Sequence, residues 1–320
     1  MRKILVIGST GQIGSELTVR LRELYGNENV VAGVLEDRPP EKLDGTGPWE
    51  RVDVLDRREL IASVKNHSID TIVNMAAILS ATGEKNPMLA WDVNMNGLIN
   101  VLEVARESKM KQVLVPSSIA VFGPSAPARD TPQETVLKPS TMYGVTKVAG
   151  ELLGDYYVKR YGLDVRGLRY PGIISHVTMP GGGATDYAVA IYYEAVKTGR
   201  YNCFVNEDTR LPMMYMPDCL KSTIELMQAD FGRLRRHCDF NVGAMSFSAG
   251  ELAASIKKYI PEFEISYKPD SRQEIADSWP DSVDDSEARE QWGWKPDYDL
   301  DAMTRDMLRA IREKHKKGLI

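Results

Sequence analysis

The stretch Ile4-Leu-Val-Ile-Gly-Ser-Thr-Gly-Gln-Ile-Gly14 decides the fold. Its first four residues are all apolar, which indicates a strand buried on both faces rather than one with a solvated face. Gly8, Gly11 and Gly14 accompany the start of an amphipathic segment over 12–25. Glycine permits a tight turn, close approach of the backbone to a pyrophosphate and close packing of a helix on a sheet. Because the amino terminus of that helix presents free N–H groups, the stretch predicts a dinucleotide-binding site.

Beyond this stretch, the first half of the chain alternates short β-branched runs with amphipathic segments. That alternation is typical of a parallel sheet covered by helices. We therefore expect an α/β fold with a doubly wound parallel Rossmann sheet. The predicted strands are 3–7, 30–35, 71–74, 112–116 and 165–169, and the predicted helices are 12–25, 57–67, 87–108 and 143–161.

The character of the chain changes near residue 171, where loops containing proline and glycine separate isolated helices. We predict a dinucleotide-binding domain over 1–170, with segments returning to it from later in the chain. A smaller C-terminal lobe over 171–320 is expected to bind substrate. The helices predicted in this lobe include 184–197, 218–229 and 248–259.

Composition and charge exclude several classes of protein. The 320 residues are 43% hydrophobic and 27% charged, which is typical of a globular chain with a substantial core. A net charge of −5 provides no basic field for a nucleic acid or an anionic membrane. The apolar runs are too short for a membrane span of about 20 residues or for a secretory signal. The three cysteines and four histidines lack ligand spacing, so we expect no disulfide framework, no metal and a cytoplasmic location.

The end of the second strand usually carries an acidic residue that binds the adenosine ribose, about 20 residues past the glycines. Val34 stands at that distance and cannot accept a hydrogen bond through its side chain. Glu36 and Asp37 lie just beyond, and either could reach the ribose if the loop turns early. Arg38 in the same loop could favour a 2′-phosphate, but two carboxylates would repel one. The loop therefore favours NAD over NADP, without deciding which carboxylate binds.

Asp53 lies in the run Arg51-Val-Asp-Val54, at the end of a predicted third strand. There its carboxylate could accept a hydrogen bond from the adenine amino group of a dinucleotide. It could equally cap the helix predicted from Arg57, because aspartate accepts hydrogen bonds from free N–H groups at helix starts. The residues leave both alternatives open.

Tyr143-Gly-Val-Thr-Lys147 places a phenol and an ammonium one helical turn apart on the same face. Ser118 follows the strand predicted over 112–116, at the edge of a parallel sheet where ligands bind. An adjacent ammonium and a cationic nicotinamide would both favour the phenolate, although a tyrosine pKa is ordinarily about 10. We predict that Tyr143 accepts a proton from a substrate alcohol while hydride leaves its carbon. Ser118 would bind the substrate oxygen, and Lys147 would also hold the nicotinamide ribose.

The glycine stretch and the Tyr143-x-x-x-Lys147 pair together resemble the extended short-chain dehydrogenase/reductase superfamily. The chain is more closely similar to the epimerase-like, short-chain type of L-threonine 3-dehydrogenase, over nearly its whole length. The segments that carry this closer resemblance are 77–81, 116–119, 122–124, 143–147, 168–174, Pro180-Gly-Gly-Gly-Ala-Thr-Asp-Tyr-Ala-Val189, Thr209-Arg-Leu-Pro-Met-Met-Tyr215 and Ala276-Asp-Ser-Trp-Pro280.

The resemblance implies oxidation of the C3 hydroxyl of L-threonine to 2-amino-3-oxobutyrate with reduction of NAD, in a homodimer. It implies that Tyr143 is the proton acceptor, that Lys147 is its electrostatic partner and that Ser118 positions substrate. Ser80 and Thr185 fall where the family contacts the amino acid. Two departures stand out: Val34 replaces the usual ribose-binding aspartate, and Ser118 stands where threonine is frequent. The expected cofactor-binding residues are Gly8, Gly11, Gln12, Ile13, Gly14, Glu36, Asp37, Asp53, Val54, Ala76, Tyr143, Lys147 and, beside the nicotinamide, Ile173.

The substrate assignment has two rivals, a nucleotide-sugar epimerase or dehydratase of the same superfamily and a dinucleotide-binding regulator without chemistry. Nucleotide-sugar relatives generally grip the diphosphate with an arginine-aspartate pair, whereas the matching segment over 211–217 is apolar. Gly181-Gly-Gly183, next to Thr185, is suited to a lid over a small ligand or is a plain surface loop. A regulator would need no residues for proton transfer, whereas this chain carries Ser118, Tyr143 and Lys147.

The helices predicted over 87–108 and 143–161 carry apolar residues beyond one face, namely Trp91, Leu98, Leu102, Tyr156 and Tyr157. In superfamily relatives the equivalent helices pair across a two-fold axis. We expect a homodimer, with packing inside one chain as the alternative explanation for these residues.

Overall fold

A six-stranded parallel sheet lies at the centre of the computed structural model, which describes residues 2–179 and 181–320. Its strands are β1 (Ile4–Ile7), β2 (Val30–Val34), β3 (Trp49–Arg51), β4 (Thr71–Asn74), β5 (Gln112–Leu114) and β7 (Val165–Arg166). They lie in the order β3-β2-β1-β4-β5-β7, which is the order of a doubly wound dinucleotide-binding sheet. The predicted α/β fold class is thus confirmed.

Helices cover both faces of this sheet, as the alternation of side chains along β1 shows. Ile4 and Val6 pack with Leu17 and Leu21 of the first helix, whereas Leu5 and Ile7 belong to a separate apolar cluster on the opposite face. The helices are α1 (Gln12–Tyr25), α2 (Arg57–Asn66), α3 (Ser80–Lys85), α4 (Pro87–Trp91), α5 (Gly97–Glu107), α6 (Met142–Tyr161), α7 (Tyr187–Lys197), α8 (Met216–Gln228), α9 (Ala249–Lys257), α10 (Arg272–Asp277), α11 (Ser286–Trp292) and α12 (Leu300–Lys316).

The helix predicted over 87–108 is interrupted, because a π-helical turn at Asp92–Asn96 separates α4 from α5. Inside that turn the buried Asn94 side chain accepts the N–H of Ile78, at 2.8 Å, and donates to the Ile78 carbonyl and to the Thr146 hydroxyl. These bonds reach across the fold, so the local apolar pattern does not reveal the turn. Such π turns are frequent at functional sites.

The strand predicted over 165–169 also divides, at Gly167. A Cβ there would lie 2.5 Å from the carbonyl oxygen of Cys238 and 2.6 Å from that of Val115. β8 (Leu168–Tyr170) leaves the large sheet and pairs with β6 (Ser117–Ser118) and β12 (Phe240–Asn241). This pairing places Ser118 opposite Tyr170. The strands of the smaller sheets are β6 (Ser117–Ser118), β8 (Leu168–Tyr170), β9 (Gly172–Ile174), β10 (Arg200–Cys203), β11 (Arg210–Tyr215), β12 (Phe240–Asn241), β13 (Met245–Ser248) and β14 (Glu264–Tyr267).

The C-terminal part of the chain packs in two places. α7, α9 and α12 enclose a core of their own that includes Tyr187, Tyr192 and Phe247. α8 instead packs on α1, and Trp294 lies in the same apolar cluster as β1. Later segments therefore contribute to the core of the central sheet. In the described residues no helix has the length and apolarity to cross a membrane.

Packing within the chain accounts for three of the five apolar residues assigned to a dimer face. Leu98, Leu102 and Tyr157 are buried, and the Tyr157 hydroxyl donates to Glu103 at 2.5 Å. For these three residues the alternative explanation was correct. Tyr156 remains 51% exposed.

Candidate active site

The turn between β1 and α1 takes its shape from two glycines. Gly8 has φ +78°, a conformation that favours glycine, and a Cβ on Gly14 would overlap the carbonyl oxygen of Gly8. Gly11, the N-cap of α1, behaves differently, because a Cβ there would meet only that same oxygen, at an ordinary 3.4 Å. No side chain caps the helix and no acidic residue stands in its first turn. The free N–H groups of α1 are thus left for an anion.

A cavity of about 460 Å³ begins at this turn and extends to the amino terminus of α6. It lies at the carboxyl ends of β1 and β4, where ligands bind in doubly wound sheets. The predicted site residues that line it are Gly8, Gly11, Gln12, Ile13, Gly14, Ser80, Ser118, Tyr143, Lys147, Ile173 and Thr185.

Two buried polar atoms of the cavity wall have no hydrogen-bond partner among the described residues, Nε2 of Gln12 and Oδ1 of Asn74. Buried polar atoms without partners are costly, so they mark places where a ligand would bond. Together with the free N–H groups of α1, they fit a nucleotide that carries both phosphates and a polar ring. The residues present therefore fit a nicotinamide dinucleotide.

Tyr143, Lys147 and Ser118 meet at the far end of the cavity. Thr141 caps α6 by accepting the N–H of Gly144 at 3.1 Å, so the phenol stands in the first turn of the helix. The Lys147 ammonium donates to the carbonyl of Pro116 at 2.7 Å and lies 5.4 Å from the centre of the Tyr143 ring. The Ser118 side chain lines the same end of the cavity as the Tyr143 phenol and lowers its pKa. The sequence had predicted this grouping, and its catalytic role remains a prediction.

Burial dominates the electrostatics of this pair. It raises the pKa of Tyr143 to about 12, and the Ser118 side chain only partly offsets it. Burial also lowers the pKa of Lys147 to about 8, opposed by the negative charge of Glu151. The Lys147 ammonium was expected to favour the phenolate, but in this chain the cost of burying a charged phenolate is larger. A phenolate at neutral pH therefore needs further positive charge close to the ring.

Five predicted cofactor residues do not line the cavity: Glu36, Asp37, Asp53, Val54 and Ala76. Glu36 and Asp37 lie exposed in the bend after β2. The Asp53 carboxylate accepts the N–H of Leu55 at 2.8 Å.

The alternative role of Asp53, as a helix cap, is wrong. Asp56 caps α2 by accepting the N–H of Arg58. Val54 is buried and packs against Gly97. A Cβ at position 97 would lie only 2.7 Å from the Val54 side chain, so glycine fits there. Contact of these five residues with a dinucleotide remains a prediction.

The cavity also has lining residues that the sequence analysis did not assign, among them Thr82, Asp186 and Trp279. Asp186 and Trp279 both lie in segments that carried the family resemblance, and that resemblance was the signal that could have identified them. The Asp186 carboxylate accepts the N–H groups of Gly182 and Gly183, each at 3.1 Å, and thereby orders the glycine loop beside Thr185. Pro180, which begins that segment of the resemblance, lies outside the described residues.

The chain belongs to the NAD dependent epimerase/dehydratase family, whose sequence model matches residues 4–243. A Staphylococcus haemolyticus protein named as an uncharacterized epimerase/dehydratase is 50% identical over 317 residues, 99% of each chain. The solved structure of L-threonine dehydrogenase from Clostridium difficile is 52% identical, with a TM-score of 0.95 over 98% of each chain. A monomeric L-threonine 3-dehydrogenase from metagenomic sequence is 48% identical, with a TM-score of 0.93 over 97% of this chain and 99% of that one.

These findings confirm the resemblance that the sequence motifs indicated. The protein is an NAD-dependent oxidoreductase of the epimerase/dehydratase type, with a nicotinamide dinucleotide as cofactor. Its particular substrate is a separate question.

The two glycines of the turn should respond differently to alanine. Gly14→Ala places a Cβ against the Gly8 carbonyl, so we expect a lower thermal unfolding midpoint without cofactor as well as weak dinucleotide binding. Gly11→Ala should leave the midpoint nearly unchanged, because its Cβ meets only the Gly8 oxygen at 3.4 Å, and weaken NAD binding by roughly tenfold, because Gly11 lines the cavity where the backbone approaches a pyrophosphate. Calorimetric unfolding and titration with NAD measure the two quantities. Equal losses of stability in both variants would contradict this division of roles.

Proposed function

We propose that the protein is an L-threonine 3-dehydrogenase, which oxidises the C3 hydroxyl of L-threonine to 2-amino-3-oxobutyrate and reduces NAD. The observation that carries the proposal is the lining of the cavity next to Tyr143. Its charged side chains, among the described residues, are Lys147 and Asp186, and it has no arginine. A nucleotide sugar would bring a second diphosphate into this space without a cationic partner. A small zwitterion needs only a few polar groups, and Ser80 and Thr185 supply hydroxyls there.

The proposed mechanism assigns proton transfer to this chain and hydride acceptance to the cofactor. When bound, the dinucleotide supplies an oxidised nicotinamide ring that accepts hydride from the substrate carbon. Tyr143 takes the proton of the substrate hydroxyl on its phenolic oxygen, and Ser118 bonds the same substrate oxygen. Lys147 stabilises negative charge on Tyr143 because its ammonium lies 5.4 Å from the ring centre. The positive charges of Lys147 and of the oxidised cofactor act together against the burial that raises the pKa of Tyr143.

The loop that contains Gly181, Gly182 and Gly183 supports exclusion of water from this chemistry. Asp186 holds two of its N–H groups, and a Cβ on Gly182 would overlap the Thr82 side chain of α3. The loop therefore packs directly over the pocket of Ser80 and Thr185. We propose that it is the lid of the substrate site.

We also propose that Glu36 or Asp37 selects NAD. Val34 is fully buried, so its side chain does not face the ribose. The bend that follows β2 is exposed, and its two carboxylates are free to turn toward a bound ribose and to repel a 2′-phosphate.

The purified protein should reduce NAD with L-threonine, and Tyr143→Phe should lower kcat at least about a hundredfold because the proton acceptor is lost. The absorbance of reduced nicotinamide measures turnover with threonine, serine and several nucleotide sugars, each against NAD and NADP. NAD affinity should remain nearly unchanged in the variant.

Tyr161→Phe is the matched control, because that phenol is 45% exposed at the other end of α6. Retained turnover in Tyr143→Phe would disprove the assigned role. Turnover of a nucleotide sugar without reaction of threonine would favour the epimerase alternative.

Thr185→Val should raise KM for threonine roughly tenfold, because a hydroxyl that bonds the amino acid is replaced by a methyl of similar shape. KM for NAD should change little. Steady-state kinetics with each substrate varied in turn separate the two effects. Thr198→Val, an exposed threonine just after α7, is the control. Equal changes in both KM values would place Thr185 outside the amino-acid pocket.

We propose that the protein forms a homodimer through the outer face of α6. Val145, Leu152 and Tyr156 lie on one face of that helix and are 41%, 66% and 51% exposed. Apolar side chains grouped in this way on a surface helix are typical of a contact between subunits. The 48% identical L-threonine 3-dehydrogenase from metagenomic sequence is monomeric, so the oligomeric state of this protein has to be measured directly.

Leu152→Glu should convert the dimer to a monomer, because it places a charge in the centre of the proposed contact. Sedimentation velocity measures the mass directly. Leu319→Glu is the control, because Leu319 is also exposed, at 68%, but lies outside α6. This variant should leave the dimer intact. A wild-type protein that sediments as a monomer would refute the proposal.

A further inference from the structure

A buried ion pair lies directly behind the candidate proton acceptor. Tyr143, Lys147 and Glu151 follow one another at four-residue spacing, so they share one face of α6. Glu151 is 6% exposed and Arg169, on β8, is 2% exposed. The Arg169 guanidinium donates to both carboxylate oxygens of Glu151, each at 2.8 Å. The Ser117 hydroxyl donates to one of them at 2.5 Å.

The groups around Lys147 come from several elements. Tyr143 and Glu151 face it from α6, and the carbonyl of Pro116 accepts from it at the end of β5. Asn74, Ser117 and the Cys238 thiol line the same small cavity of about 20 Å³ beside it, and burial raises the pKa of that thiol well above its ordinary value.

The charged groups beyond this shell are already paired. Arg169 lies behind Glu151, and Asp239 lies 3.8 Å from Arg169 but is paired with Arg236 at 2.9 Å. Glu151 is therefore the anion that acts on the Lys147 ammonium. Its negative charge opposes the lowering of the Lys147 pKa by burial.

Stability alone does not account for this pair. Burying two charges costs about as much free energy as their attraction returns, so a buried ion pair is weak evidence of a stabilising role. Its position gives it another consequence. Removal of the carboxylate would leave both the Arg169 guanidinium and the Lys147 ammonium buried without the anion that they share. Removal of the guanidinium would leave the carboxylate without the cation that opposes its protonation, since burial raises the Glu151 pKa, and the negative charge beside Lys147 would weaken.

We propose that Glu151 is a positioning residue for the oxidation, and that its carboxylate, held by Arg169 and Ser117, keeps the Lys147 ammonium charged and directed at Tyr143. This inference rests on the proposed function, in which Lys147 must carry its proton for Tyr143 to accept one. Glu151 is not among the residues that line the cavity of the candidate active site, so it acts through Lys147.

Substitutions that remove or keep the charge of Glu151 provide the test. Activity needs protonated Lys147, so it is lost as pH rises through the Lys147 pKa. Glu151→Gln should lower that pKa and move the alkaline limb of kcat/KM for threonine to lower pH by about one unit. Arg169→Gln should move the limb in the same direction, because the guanidinium helps to keep Glu151 ionised against burial. Damage to the fold alone would change the amplitude of the profile without moving its limb.

Three further variants sharpen the comparison. Asp155→Asn, which removes a partly buried carboxylate one turn further along α6, should leave the limb in place. Glu151→Asp keeps the charge and should restore most of the wild-type profile. Ser117→Ala retains the ion pair and loses one hydrogen bond to Glu151, so it should shift the limb in the same direction as Glu151→Gln but less. Ser117→Ala provides the test if Glu151→Gln or Arg169→Gln fails to fold.

A readout without substrate separates this inference from the proposed function. The NMR signal of the Lys147 Cε carbon in protein with labelled lysine, assigned by comparison with a Lys147→Met counterpart, follows the ammonium directly. Its titration should move to lower pH in Glu151→Gln and stay in place in Asp155→Asn, whether or not threonine is the substrate. No shift in Glu151→Gln, or an equal shift in Asp155→Asn, would overturn the inference.

Discussion

A positive charge buried beside a phenol is the constraint on which the site depends. The Lys147 ammonium is removed from water by α6 and by the end of β5, and a buried charge is tolerated only where polar groups surround it. The carbonyl of Pro116 and the carboxylate of Glu151 provide that surrounding. The bend of the chain after β5, the short strand β6 and the departure of β8 from the large sheet all meet at this charge. They bring the Pro116 carbonyl, the Ser117 hydroxyl and the Arg169 guanidinium to the surroundings of Lys147 and Glu151.

The parallel sheet connects this charge to the glycine turn. β1 and β5 both neighbour β4, so the loops that follow them emerge at the same edge. One loop presents the free N–H groups of α1, and the other carries Ser117 and Ser118 toward Tyr143. A single cavity can therefore hold the phosphates of a dinucleotide at one end and a reacting carbon at the other. Family membership and the agreement with solved L-threonine dehydrogenases accord with that arrangement.

Several site features could be predicted from short stretches of sequence because their causes are local. The glycine turn needs only the φ of Gly8 and the absence of a Cβ on Gly14. Tyr143 and Lys147 share a face because a helix repeats every 3.6 residues. The π-helical turn at Asn94 could not be found in this way, since its side chain is held by Ile78 and Thr146 from other elements. The same holds for Asp186, whose role depends on how the glycine loop folds back upon it.

The sequence by itself determined the alternating α/β architecture, the glycine turn before α1 and the pairing of the phenol with the ammonium. The tertiary structure alone decided that Arg169 would join Glu151 behind that ammonium, that Asp53 would lie outside the cavity, and that the Tyr143 pKa would be raised rather than lowered. Backbone periodicity and turn geometry act over a few neighbouring residues and can therefore be read from the order of amino acids. Burial and charge depend on which distant segments exclude water from a side chain, and only the folded chain brings those segments together.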